Sequence, residues 1–154
     1  MATQKLQIKT AIQILKPAQQ VFEAIVDPAK MSNYFISESS GPMEAGKTVT
    51  WKFPEFAETF PVRVSNVEPD KSLSFFWDGT DGTELQVEIA LAPTGNQATV
   101  VTITEKEMDN NEAGLTWLMG NTAGWANFLA CLKAYLEHGI NLRKGAFDFM
   151  KPGV

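Results

Sequence analysis

A hydrophobic period of two runs through most of this chain and gives way, near residue 111, to a helical one. Leu6, Ile8, Ile12 and Ile14 share one side of the stretch 5–15. Val49, Trp51 and Phe53 alternate with Thr48, Thr50 and Lys52, and Phe60, Val62 and Val64 with Thr59, Arg63 and Ser65. Leu73, Phe75 and Trp77 follow the Pro69-Asp70-Lys71 turn. Leu85, Val87, Ile89 and Leu91 follow the Gly79–Gly82 turn, and Val101 and Ile103 the Pro93–Asn96 turn. Strands of this kind form an antiparallel sheet that is covered on one face and wet on the other.

The cover is predicted over residues 111–138. On a helical wheel Leu118, Asn121, Thr122, Trp125, Phe128, Leu129, Leu132 and Leu136 form one broad face, and Glu137 falls opposite. Gly139 is placed to stop the helix. Between the first strand and the sheet, Pro17 opens a short helix carrying Val21, Phe22 and Ile25. Pro28 interrupts it, and a second short helix carries Met31, Tyr34 and Phe35. One long helix with one apolar stripe fits one one-sided sheet, an α+β architecture.

The stripe changes character along its length. Its C-terminal half is aromatic and aliphatic, whereas its N-terminal half carries Gly114, Asn121 and Thr122. Buried polar groups require partners. Asn121 and Thr122 therefore either bond backbone or water, or face a cavity and orient a ligand.

Bulk properties narrow the function classes. A chain of 154 residues fits one domain able to bury roughly 70% of its unfolded surface. The formal charge of −5 disfavours nucleic acid and anionic membranes as partners. No apolar run is long enough for membrane insertion. The single cysteine, Cys131, and the polar start Met1-Ala2-Thr3-Gln4-Lys5 fit a cytoplasmic setting.

Several motifs point to chemistry, each with a plainer account. Gly41-Pro42-Met43-Glu44-Ala45-Gly46-Lys47-Thr48 fits the phosphate-binding pattern G-x-x-x-x-G-K-[ST], but that loop must lead into a helix, and Val49–Phe53 alternates like a strand. His138 is the only histidine, which leaves no His/Cys metal cluster, and at a helix C-terminus it complements the dipole. Cys131 reads as a packed thiol. Asp78-Gly79-Thr80-Asp81-Gly82 reads as a hairpin turn. The connections near 54–58, 78–83 and 106–112 fall at one end of a meander and carry Glu55, Glu58, Asp78, Asp81, Glu107, Asp109 and Glu112. An acidic rim there disfavours anionic ligands.

The order of these segments resembles a known family. Ile14-Leu15-Lys16-Pro17-Ala18-Gln19-Gln20-Val21-Phe22-Glu23-Ala24-Ile25, then Asp27-Pro28 and Tyr34-Phe35, resemble the opening of the START-like (SRPBCC, helix-grip) superfamily. Gly46 to Phe53, the run Val62 to Trp77, and Ala123-Gly124-Trp125 with Leu129, Leu132-Lys133 and Tyr135-Leu136 resemble its Hsp90-ATPase-activator-like (AHSA1) branch, single-domain type. The resemblance covers about residues 6–138. Tyr34 stands where that branch often has Trp, and Ile140–Val154 extends past the shared pattern.

The resemblance implies a helix-grip (START/Bet v 1-like) fold, with a curved antiparallel sheet wrapped around the C-terminal helix and a cavity between them for lipids, polyketides or other apolar molecules. Residues 1–138 would form the domain and 139–154 a C-terminal extension of it.

The first functional expectation is binding of a small apolar molecule, neutral or cationic. Trp51, Phe53, Val62, Phe75, Trp77, Val87, Leu118 and Trp125 would wall the site, and Asn121 and Thr122 would supply polar contacts. No cofactor and no metal are implied. A protein-interaction module of chaperone-accessory type, or a homodimer formed through the tail, is the second reading. A polyketide cyclase-like enzyme is the third and least favoured, because none of the inward strand positions assigned above is ionisable.

Overall fold

The computed structural model describes residues 4–153; Met1, Ala2, Thr3 and Val154, with the expectations placed on them, lie outside. The elements run β1 (Lys5–Ile14), α1 (Ala18–Val26), α2 (Pro28–Met31), β2 (Glu38–Ser39), β3 (Thr48–Lys52), β4 (Thr59–Glu68), β5 (Ser72–Asp78), β6 (Glu84–Thr94), β7 (Ala98–Asp109) and α3 (Glu112–His138), followed by a single 3-10 turn at Asp148–Met150. The strands form one antiparallel sheet in the order β1-β7-β6-β5-β4-β3-β2. The chain therefore meanders from β2 to β7, and β1 closes the far edge against β7.

Inward positions follow the period of two. Leu85, Val87, Ile89 and Leu91 of β6 are buried, as are Val101 and Ile103 of β7 and Leu73 and Phe75 of β5. Two irregularities shift that phase: β4 skips a position between Val64 and Asn66, and β1/β7 shifts between Leu6 and Gln7. The second brings Met108 inward, although an uninterrupted alternation from Ile103 would point Glu107 there.

α3 carries caps at both ends. Asn111 accepts from the backbone N–H of Gly114 at 2.8 Å. Gly139 adopts φ 65° and its N–H returns to Ala134 and Tyr135, a conformation that favours glycine. Trp125, Phe128, Leu129 and Leu132 are buried against the sheet, each contributing about 1.5–3 kcal/mol of transfer free energy.

The helical wheel needs two corrections. Trp117 joins Gly114 on the buried face near the N-terminus, and Glu137 is not a solvent-facing residue. Its side chain is only 9% exposed, because it accepts from the Leu15 N–H at 2.8 Å and from Lys133. The short helices start where the prolines place them, Asp27 capping α2 through the Ala29 N–H with Pro28 in its first turn, but α2 ends at Met31, so Tyr34 and Phe35, expected on it, lie in the turns that follow.

The segment Gly41–Thr48 leads into β3, not a helix, and Lys47 pairs with Glu44 at 2.6 Å. It is a turn, with Gly46 at φ 79°.

Candidate functional site

The aromatic side chains converge under the N-terminal half of α3. Trp51 and Phe75 lie at the bottom, fully buried, with ring centroids 5.5 Å apart. Above them Trp77 stacks on Trp125 at 5.5 Å, and Phe35 packs on Phe53, Trp125 and Phe128 at 5.1, 6.0 and 4.7 Å. Edge and tilted arrangements of this kind are the favoured ones.

A carboxylate sits inside this cluster. Glu105 on β7 faces inward between Ile8 of β1 and Val87 of β6 and has no exposed surface. The Trp77 indole N–H donates to its Oε2 at 2.7 Å, and the Trp125 indole N–H to its Oε1 at 2.9 Å. The Asn121 side-chain amide donates to both oxygens, at 3.1 and 3.4 Å. Asn121 and Trp125 lie one helical turn apart, so both reach the same oxygen pair. One side chain thus ties β5, β7 and α3 together.

All of these partners donate, so Glu105 acts as acceptor. Among the described residues, none of the ion pairs brings Lys, Arg or His to it. None of the inward strand positions assigned from the sequence is ionisable, and Glu105 is an inward position that assignment left out. The strand reading stopped at Ile103, whereas β7 continues to Asp109 with Glu105 as the next inward position. The two indoles held the missing signal, since a buried Trp N–H calls for an acceptor.

Three concavities surround the hub. The largest, of about 1030 Å³, lies between the β5–β6 hairpin and the first turns of α3. Phe60, Trp77, Leu85, Met108 and Trp117 give it apolar walls, and Asp78, Asp81 and Glu112 stand at its rim. The Trp117 indole N–H is buried without a partner. A second cavity of about 180 Å³ is lined by Phe35, Phe53, Trp77, Asn121, Gly124 and Trp125. A third, of about 200 Å³, lies under the C-terminal segment. There Arg143 makes two 2.8 Å hydrogen bonds to the buried Glu55 carboxylate and lies over the rings of Phe53 and Phe147.

The expected site residues divide by position. Trp77, Asn121, Trp125 and Phe53 come together around the 180 Å³ cavity. Trp51, Val62, Phe75 and Val87 are packed core beneath it and line none of the three concavities. Leu118 packs against the core, and the Thr122 hydroxyl donates to the Leu118 carbonyl of its own helix. Unanticipated wall residues are Phe35, Leu85, Met108, Trp117, Gly120 and Gly124.

The acidic rim is smaller than the sequence suggests. Glu55 has left it for Arg143, whose hydrogen bonds hold its carboxyl below the ordinary value against the opposing effect of burial. Arg63 pairs with Asp78 and Glu84 at 3.0 and 3.1 Å. Asp81 accepts the Thr83 N–H at 3.0 Å, which lowers its pKa and marks it as a turn residue. Burial pushes the Cys131 thiol up, as for an unreactive packed cysteine. No group of three or more metal-ligating side chains occurs among the described residues, and none of their helices is long and apolar enough to cross a membrane.

A one-sided curved sheet gripping a long C-terminal helix, with a cleft between them, defines a helix-grip protein of the START-like type. Within that class the chain belongs to the activator of Hsp90 ATPase homolog 1-like family, whose model matches residues 16–137. It is similar to the crystal structure of protein SSP2350 from Staphylococcus saprophyticus, with 36% identity and a TM-score of 0.78 over 90% of this chain and 96% of that one. DynU16, from the dynemicin biosynthetic locus, is 29% identical with a TM-score of 0.76 over 87% of this chain and 48% of its own. The Aha1 dimer from Colwellia psychrerythraea shares the fold at 20% identity, with a TM-score of 0.74 over 87% of this chain and 98% of that one. No curated protein matches this chain.

Proposed function

We propose that this protein binds a small apolar molecule, neutral or cationic, in the cleft between the β5–β6 hairpin and α3, in the cytoplasm and without a cofactor. The observation that carries the reading is the 1030 Å³ cleft, with Trp77, Leu85, Met108 and Trp117 on its walls and carboxylates at its mouth. Its volume is just above the usual range for small-molecule sites, and apolar walls beside placed polar groups such as Asn121 and Thr116 are the kind of lining such sites have. The carboxylates disfavour an anion. Trp51, Val62, Phe75 and Val87 back the walls, and Leu118 and Thr122 hold the helix turn that presents Asn121.

Native mass spectrometry of gently purified protein, beside its denatured mass, tests this directly. A small-molecule mass found only in the native sample is the expected result. Titration with a long-chain fatty acid and its neutral amide should favour the amide. A bare chain that also takes up neither compound saturably refutes the reading.

A second reading rests on the C-terminal segment, where Ile140, Leu142, Phe149 and Met150 are at least half exposed. Such residues suit a protein partner, a second copy or a chaperone of the kind in the family's description, with residues 139–154 as an extension of the domain. A monomer at high concentration that captures no chaperone argues against it.

A further inference from the structure

We infer that the 180 Å³ cavity beside Glu105 recognises an alkylated ammonium group, as the head of a ligand whose apolar body lies along the larger cleft. This rests on the binding reading above and names the class of ligand.

Four of the six residues lining the cavity are aromatic: Phe35, Phe53, Trp77 and Trp125. Aromatic rings attract a desolvated cation through their quadrupoles, and quaternary ammonium groups are recognised in this way. Aromatic lining alone would suit a flat neutral molecule equally well, and the carboxylate decides between them. Glu105 is hydrogen-bonded to three of the six lining residues, Trp77, Trp125 and Asn121, so it stands one side chain behind the wall. Its partners are neutral donors, and none of the ion pairs among the described residues involves it. Indole N–H groups donating to a carboxylate are also polarised towards richer rings.

Size and access agree. The volume corresponds to about six waters at roughly 30 Å³ each, which accommodates a nitrogen with its methyl groups. Trp77 and Asn121 line both this cavity and the 1030 Å³ cleft, so a chain attached to the head continues into the larger space. Gly124 contributes no side chain to the wall, and a Cβ built there meets nothing within 4 Å.

The test is a charge series on one chain length with the full-length protein: octyltrimethylammonium, 1-octanol and nonanoate, each below its micelle concentration. Binding is followed by calorimetry and tryptophan fluorescence in 0.1 M and 1 M NaCl. At 1 M the screening length is about 3 Å, which removes attraction by the exposed rim and leaves a desolvated site largely unaffected. The cation should bind at least tenfold more tightly than octanol at both salts, with nonanoate weakest. Glu105→Gln should bring the cation-to-octanol ratio close to one; if that variant does not fold, the wild-type series decides alone. Equal binding of cation and octanol overturns the ammonium site and leaves the cleft reading standing. So does a preference that vanishes at 1 M NaCl, since it belongs to the rim. Saturable binding of none of the three refutes both.

Discussion

Three glycines lie on α3, and their surroundings predict opposite responses to the same added methyl group. A Cβ at Gly120 or Gly124 meets nothing within 4 Å, and both residues line the concavities. Glycine inside a helix costs about 0.8–1.0 kcal/mol relative to alanine. Gly120→Ala and Gly124→Ala should therefore each stabilise the fold by about 1 kcal/mol, raising Tm by about 2–4 °C for a domain near this size. The same methyl at Gly124 projects into space lined by Phe35, Phe53 and Trp125, so ligand affinity should fall as stability rises. Gly114 is the control. A Cβ there would clash with the Asp109 carbonyl oxygen, which is backbone and has little room to move. Gly114→Ala should destabilise by about 1–3 kcal/mol, as overpacking does. Urea and thermal unfolding of the three variants, with octyltrimethylammonium and octanol titrations, check every sign. A destabilised Gly124→Ala, or a stabilised one with undiminished affinity, refutes the reasoning that this space is kept for a ligand.

Other residues give further tests. Glu105→Ala leaves the buried Trp125 indole N–H without an acceptor, and the half-buried Trp77 indole and Asn121 amide to find water, so a loss of about 1–3 kcal/mol is expected in urea unfolding. Arg143→Ala strands the Glu55 carboxylate; the cost is about 3 kcal/mol, unless the C-terminal segment detaches first, which limited proteolysis after residue 139 would reveal. Because the folded pKa of Glu55 lies below its ordinary 4.5, its contribution is complete above that pH and is lost as pH falls through the lowered value. Protection of the amides of residues 140–150, measured against the unstructured exchange rate at each pH, should accordingly fall in acid before that of the sheet. Cys131, buried and raised in pKa, should react slowly with iodoacetamide at pH 8 in the folded protein and rapidly in urea; fast labelling of the folded chain refutes its assignment as a packed thiol.

The sequence was most informative where one local rule acted alone. Alternation located β1 and β3–β7, and Asn111 and Gly139 marked the ends of α3 because capping is decided by a few neighbouring residues. β2, two residues long, is too short to show a period. Trp117 lies off the helical stripe yet is buried, lining the same cleft as Met108, the residue that the register shift between β1 and β7 turns inward. Glu137 and Glu55 looked like solvated acids because their partners, the Leu15 N–H and Arg143, lie 122 and 88 residues away. Sequence distance of that kind leaves no local trace.

Glu105 is the instructive case, because it was half legible. Continuing the alternation from Val101 and Ile103 points it inward, and composition alone argues against burying an acid there. The resolution lies in counting donors. Trp77, Trp125 and Asn121 each bring a side-chain N–H into the space beneath α3, while the inward side chains of β5 and β6 in that region, Phe75, Leu85 and Val87, offer no acceptor. A core that gathers one buried and two half-buried donors at one point is best served by an acceptor there, and an inward carboxylate with two oxygens reaches all of them. Read in this way, the acid is demanded by the tryptophans, and the charge series above tests whether a carboxylate that enters none of the ion pairs among the described residues also selects a ligand.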